Sequence, residues 1–574
     1  MGKLTGAVTS WIAFPLLSAA CDSRGHEPPP AALDVAAVRV ERPAVLTDRA
    51  QTRTFDGGTE DRYVIALERG ASRDIVVTQD GVDVVVELIG PDGTLVRRVD
   101  SPNGRHGDER LELVAQAEGT YVVVVRPLER GEPGGAYRIA IVAARDPMAT
   151  AAWLAARAKV RAEAAAWLRT RAGAIAIDGT AARGSGLDRF DRLARRARVV
   201  GLGEATHGSR QHADLRLALT RRLVERHGVR VIGLEASAAR MRAIDRWARR
   251  PDASAADLDA LYGTGWINRR VFLALADYVR TWNLANPRDP VTLLGLDDQD
   301  NAPARDVVEA FAARALDEAV AARTAEVIAR IAKADRQATV FGPSEVDATD
   351  WRFLRTLHAG LETRRAVLAA RYGAGSVDDA IAASRTLAQF AEFNAAVSEL
   401  TASRDRMMAM NLVRALGPAT RAAYWGHNAH VAHPSGRGDA APAGALLAES
   451  LGPEYAAIAT AFVDGGFLAQ LPNDPGDRLQ TFALPAAAET SIDGVLATVG
   501  AGDLVAAWPE GGAGAPAWLA EPQPLHWIGA LWAPESSPDD AYRATRLVAD
   551  YDGVVLVRHV DAETSTEIGK NRAP

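Results

Sequence analysis

Cysteine is almost missing from this chain of 574 residues: Cys21 stands alone. One cysteine makes no internal disulfide, and a thiol beside an N-terminal apolar stretch has no folded pocket around it. A disulfide framework and thiol catalysis are therefore both set aside. No Gly-x-Ser-x-Gly elbow occurs, so the sequence offers no serine nucleophile of the strand-turn-helix kind. The helical His-Glu-x-x-His pattern of zinc proteases is also missing, as are internal repeats and blocks of like charge. Positive charge is not in excess either, and a formal net charge of -7 argues against nucleic acid as a partner. What remains, 48% hydrophobic and 24% charged, is an ordinary globular composition with length for two or three cores.

Residues 1–20 carry Lys3 and then the apolar stretch Leu4 to Ala20, which reads as a signal peptide. Ser18-Ala19-Ala20-Cys21 resembles a bacterial lipoprotein cleavage box, with Ser18 where leucine is more usual, and makes Cys21 the expected site of lipid attachment. The alternative is an ordinary cleaved signal; both predict an exported protein of the cell envelope, periplasmic or on the outer surface. Residues 21–48, with Pro28-Pro29-Pro30, read as a spacer, and residues 564–574 as a tail.

Over residues 49–146 the pattern is of short runs such as RYVIALE, VDVVVELIG and TYVVVVR, punctuated by Pro91-Asp92-Gly93 and Glu118-Gly119. Close strands with turn residues between them predict an antiparallel β-sandwich. The stretch GVDVVVELIGPDGTLVRRVDSPNG followed by AEGTYVVVVRPL resembles the pre-peptidase C-terminal type of domain. That resemblance implies an accessory role, in positioning or in contact with glycans or the cell surface. An Ala-rich connecting helix with Trp153 and Trp167 is expected over residues 147–171.

Residues 172–563 read as an α/β domain with a mainly parallel sheet and a large helical insertion from about Pro303 to Leu416. Two apolar runs, VVGLG and VIGLE, each stop on a carboxylate, Glu204 and Glu235, with an amphipathic stretch between them. Such runs predict buried parallel strands joined by a crossover helix. Two more runs end at Asp297 and at His427, the latter followed by His430 and His433. Ligands of open parallel sheets sit beyond the carboxyl ends of the strands, so Glu204, His207, Glu235, Asp297, His427 and His430 are expected to converge there. An imidazole changes charge near neutrality, and a carboxylate beside it sets its tautomer; together they suit general-base chemistry on water. By residue type alone Arg216, His212 and His227 read as surface groups of the crossover helix, and His433 as the border of a loop.

Gly203-Glu204-Ala205-Thr206-His207-Gly208, Arg216, Glu235 and Trp425-Gly426-His427-Asn428-Ala429-His430 together resemble the erythromycin esterase family. Gly295-Leu296-Asp297 with Gln299, and the helix from Arg404 to Asn411, support the match. The resemblance implies metal-independent ester hydrolysis without a cofactor on a small ester or lactone, a macrolide among them. It makes His207 the base, with Glu204, Glu235, Arg216, His427 and His430 as further active-site positions. Trp266, Asp297, Gln299, Gln211 and His212 are expected to meet the substrate. Gln211-His212 departs from the acid and aromatic residue that family members commonly carry there, which puts the substrate in doubt. Two alternatives stay open: a surface protein that binds a lactone or glycan without turnover, and a metal-dependent hydrolase using the same Glu/His cluster.

Overall fold

The structure, a computed structural model, describes residues 44–563 apart from 48, 55–59, 101–104, 129–133, 180, 263–268, 299, 338–345, 395–403, 434–440, 473–478 and 535. The signal peptide with Cys21, most of the spacer, Trp266, Gln299 and the C-terminal tail lie outside the described residues. The chain divides into two compact units, residues 1–159 and 160–574. Among the described residues no helix is long and apolar enough to cross a membrane.

In the first unit two sheets face each other. One runs in the order Ala44–Val45, Asp61–Leu67, Gly119–Pro127, Val84–Ile89, Leu95–Val99; the other in the order Gln51–Thr54, Ala136–Arg145, Ser72–Asp80, His106–Val114. The pairings are antiparallel, except that Ala44–Val45 lies parallel to Tyr63–Val64. That strand falls inside the stretch read as a spacer, so the sandwich begins earlier than the sequence pattern indicates. Alternation along the strands sends Tyr63, Val77, Val86, Leu111, Val123 and Ile139 into one core. The helix expected over 147–171 is Pro147–Arg169, and the boundary between the units falls within it.

The second unit is built on a sheet of nine strands: β1 (Ala172–Ala174), β2 (Val199–Leu202), β3 (Val229–Ser237), β4 (Thr292–Asp297), β5 (Arg421–Trp425), β6 (Tyr455–Gln470), β7 (Leu479–Leu484), β8 (Leu504–Ala507) and β9 (Gly553–Val560). Its order is β1-β8-β9-β6-β2-β5-β3-β4, with β7 paired to β6. The centre, β9-β6-β2-β5-β3-β4, is parallel, while β1, β7 and β8 pair antiparallel. The crossover from β2 to β3 runs through α1 (Arg210–His227), but β2 and β3 are not neighbours: β5, almost 200 residues further along, is inserted between them. The histidine strand thus lies between the two strands that end in acids.

Local chemistry sets the ends of α1. Ser209 accepts the N–H of His212 at 3.3 Å as N-cap, and Gly228, with φ 67°, closes the C-terminus in the left-handed conformation. The helix is buried on more than one side, and this corrects the reading of His212 and His227 as surface residues. His212 is fully buried with its ring 5.8 Å from Phe462, and His227 bonds Asp191 at 2.9 Å. Burial and the nearby Arg216 push the His212 imidazole down to about 3, so it is neutral. The helical insertion is Ala302–Ala315, Glu318–Gln337, Ala348–Thr363, Arg365–Tyr372 and Ala374–Asn394, with a core of its own around Phe311, Ile331, Leu354 and Leu387. The chain returns to the sheet through α2 (Arg404–Ala415).

Candidate active site

Four adjacent strands, in the order β2-β5-β3-β4, deliver the polar groups to one edge of the sheet. Glu204 follows β2 by two residues, and the chain there runs so close to its neighbours that side chains are excluded. A Cβ on Gly203 would lie 2.3 Å from Asn428 Oδ1, and one on Gly208 would lie 2.2 Å from the Leu468 carbonyl oxygen. Those two glycines are what let the Gly203–Gly208 turn carry Glu204 and His207 against the sheet.

Glu204 is buried, and its two oxygens have different partners. Oε1 stands 2.7 Å from His207 Nδ1, and Oε2 is paired with the guanidinium of Arg216. Arg216 is itself buried, 3% exposed, and lies over the Trp425 ring at 4.8 Å. Trp425 in turn donates its indole N–H to Thr220 Oγ1 at 2.7 Å. The solvated state usual for helix arginines does not apply here, because α1 is covered on the side from which Arg216 projects. With Glu204 accepting the Nδ1 proton, the Nε2 of this half-buried ring is bonded to none of the described residues.

A second cluster is built around Glu235. The strand does not stop at this residue, as the pattern implies, but runs on to Ser237 with one extra residue. Leu234 pairs with Gly295 and Ser237 with Asp297, three steps on β3 against two on β4. A bulge of this kind re-aims a side chain. Glu235 Oε1 accepts from Arg404 Nη2 at 2.8 Å, and Oε2 accepts the backbone N–H of His427 at 2.8 Å. Burial pushes this carboxyl up, but His430, Arg404, His207 and the His427 N–H outweigh it and hold it well below the ordinary carboxylate range.

Arg404, at the first turn of α2, is a site residue to which the sequence reading gave no role. It forks onto Asp297, with Nε 3.0 Å and Nη2 2.6 Å from Oδ2. This corrects the expectation that Asp297 meets the substrate: its carboxylate is spent on the guanidinium, in a bidentate pairing that only arginine can make. Beside it the Asp298 carboxyl is pushed up to about 8 by burial and by the charge of Asp297.

His430 bonds Asp405 Oδ1 through Nδ1 at 2.7 Å. Its Nε2 lies 3.3 Å from Glu235 Oε1 and 3.2 Å from Arg404 Nη1. The arginine contact is a hydrogen bond only if the ring is neutral, the glutamate contact only if it is protonated. Burial lowers this imidazole, but Asp405 and Glu235 more than reverse that and raise it to about 9. We assign the protonated form at neutral pH, because two carboxylates, Asp405 and Glu235, stand against the two ring nitrogens.

His427 differs from both. Its Nδ1 accepts the N–H of Ala429 at 3.3 Å, and its Nε2 donates to the carbonyl of Ile528 at 3.1 Å. Burial, followed by His207 and His430, lowers it well below the usual imidazole range. A neutral ring with both nitrogens engaged by backbone is not placed to give a proton to a substrate. His427 instead packs beside His207, with ring centroids 5.1 Å apart. Gln211 is likewise occupied, donating to Asp561 Oδ2 and accepting its backbone N–H, both at 2.7 Å, while His212 lies in the core. His433 pairs with Asp552 at 2.7 Å and has a structural role.

Among the described residues no group of three or more His, Cys, Asp or Glu is arranged to hold a metal ion. The donors such an ion would use are paired already: Glu204 with Arg216, Glu235 and Asp297 with Arg404, His430 with Asp405.

Comparison with known proteins agrees with this architecture. No curated protein matches the chain in sequence. Among solved structures it is similar to a protein of Bacillus cereus, with 21% identity, a TM-score of 0.55, and 70% of this chain and 98% of that one covered. It is also similar to a succinoglycan biosynthesis protein, with 17% identity, a TM-score of 0.52, and 71% and 98% covered. Both likenesses establish a shared fold. An erythromycin esterase mutant in its open conformation aligns at 19% identity, covering 66% of this chain and 95% of that one, with a TM-score of 0.49. The family described as erythromycin esterase matches residues 224–560. That span holds Glu235, Asp297, Arg404, His427 and His430, and begins after Glu204, His207 and Arg216. Since it takes in more than half of the chain, the protein belongs to the erythromycin esterase family and is an ester-hydrolysing enzyme.

Proposed function

We propose that the enzyme cleaves a carboxylic ester or lactone, macrolide-type lactones included, by direct attack of water activated by His207. The observation that carries this reading is the chain Arg216–Glu204–His207, which leaves the second nitrogen of the partly exposed imidazole bonded to none of the described residues. His207 Nε2 takes a proton from water as the water oxygen bonds to the acyl carbon. The anionic tetrahedral centre is met by Arg404, whose Nη1 carries an N–H beyond those given to Asp297 and Glu235. Preorganised donors of this kind are worth about 10²–10³ in rate. Collapse breaks the acyl C–O bond, and the alkoxide takes its proton from His430. The carboxylic acid product ionises, and proton exchange with solvent restores both histidines. Glu204 stays ionised throughout and steadies the imidazolium.

No covalent enzyme intermediate enters this scheme. Mass spectrometry of protein quenched during turnover of an ester and lactone panel, macrolides included, tests it. Turnover with no acylated protein is the expected result, and an acyl adduct on any side chain contradicts it. Activity that disappears on chelation and returns with Zn²⁺ or Mn²⁺ would instead support metal-dependent hydrolysis. Binding of the panel compounds without turnover would point to a binding protein.

We further propose, from residues 1–21 of the sequence, that the enzyme is exported and lipid-anchored through Cys21. Labelled palmitate incorporated into the wild type and not into Cys21→Ala is the expected outcome; equal labelling, or none in either, contradicts it.

A further inference from the structure

The segment after Leu525 lies directly alongside the turn that carries His207. Ile528 donates its N–H to the Ala205 carbonyl at 2.7 Å, Thr206 and Ile528 form a β-bridge, and Gln470 donates to Ala530 at 2.8 Å. In this extended stretch Ile528 faces the core, and its neighbour Trp527 turns the other way and stays half-buried. The Trp527 ring meets His427 edge-on with centroids 4.9 Å apart, and His427 is 5.1 Å from His207. On another side Arg543 holds the indole at 4.9 Å.

Several tryptophans of the second unit spend their indole N–H inside the protein. Trp247, Trp282, Trp425 and Trp508 give theirs to Ser254 O, Asp289 O, Thr220 Oγ1 and Tyr551 O at 2.7, 3.0, 2.7 and 2.8 Å. Trp527 donates to none of the described residues, and its nitrogen is not sealed in the interior. A large aromatic surface with an unspent donor, held rigidly two rings from the base, is what an apolar ligand studded with oxygens requires.

We propose that Trp527 is a specificity-determining wall of the active-site cleft. Its ring meets the apolar body of a bulky cyclic ester, and its N–H serves a hydroxyl or carbonyl of that body. The inference rests on the esterase reading and adds to it a residue that sets specificity.

The test compares kcat/KM for a macrocyclic lactone, erythromycin, with that for p-nitrophenyl acetate in the full enzyme. Trp527→Ala is expected to lower the ratio of the two about tenfold through KM for the lactone, the scale of one lost aromatic contact. Trp527→Phe, which keeps a ring and loses the N–H, is expected to fall between it and wild type. Trp532→Ala, in the same segment but packed on Phe467, leaves the ratio unchanged. A ratio unmoved in Trp527→Ala overturns the proposal. Equal loss on both esters overturns it too, since Trp527 would then only support His427. Should Trp527→Ala not fold, the ratio in Trp527→Phe decides in the same way. Wild type inactive on every ester is the separate failure of the esterase reading. In that event calorimetric binding of erythromycin, weaker in Trp527→Ala or equal to wild type, supports or overturns the role of Trp527.

Discussion

Two clusters of the second unit repeat one arrangement with different charge. In both, a buried carboxylate is clamped by an arginine and reaches a histidine. In the first, Glu204 is paired with the guanidinium of Arg216 and bonded to His207 Nδ1. The second gathers Glu235, Asp297 and Asp405 about Arg404 and His430, and Asp405 and Glu235 keep a proton on His430 to about pH 9. The first leaves the Nε2 of His207 bonded to none of the described residues, and the second holds a proton on His430. Environments that separate two like groups in this way are how enzymes divide base from acid.

The comparison is broken most severely at its arginines. Arg404→Ala leaves three carboxylates facing one another and removes the N–H for the tetrahedral centre, so kcat is expected to fall about 10²–10³-fold, measured on any ester the wild type turns over. Arg216→Met strands Glu204 as a buried unpaired charge. Urea unfolding should show a loss of about 3–5 kcal/mol, as for other buried pairs broken on one side.

Asp405→Asn sharpens the contrast without destroying it. With His430 held up to about 9, activity is expected to decline as pH rises through that value, and removing Asp405 shifts the decline to lower pH in the rate profile. The sign for stability is the same. The folded-state value lies above the unfolded imidazole's, so the contribution of His430 is fully present below about pH 6.5 and lost as pH rises through about 9. Asp298 supplies a further contrast. Its carboxyl is raised to about 8, so wild-type stability declines as pH rises from the usual carboxylate range towards that value. Asp298→Asn should therefore melt higher than wild type at pH 8 and no differently at pH 4.

Much of this was legible in the sequence, because buried parallel strands announce themselves as apolar runs and polar residues at their ends mark the functional edge. Glu204, His207, Glu235 and His430 were found by that rule. The rule fails where a residue's partner is remote in sequence. Nothing local says that β5 inserts between β2 and β3, and nothing in Arg404-Asp405-Arg406 separates a buried fork from an ordinary charged first turn of a helix. The available signal was a count: three strand-end acids, Glu204, Glu235 and Asp297, with one recognised cation, Arg216, call for another. The same blindness to tertiary cover made His212 and His227 look like surface groups, and gave Asp297 and Gln211 to the substrate when Arg404 and Asp561 claim them.

The division of labour rests on His207 as the base, and the direct test is the rate of ester and lactone hydrolysis by His207→Ala beside wild type. The account predicts a fall of at least about 10² in kcat, the usual worth of a positioned base, with the fold and substrate binding retained. Equal rates in the two proteins would contradict it.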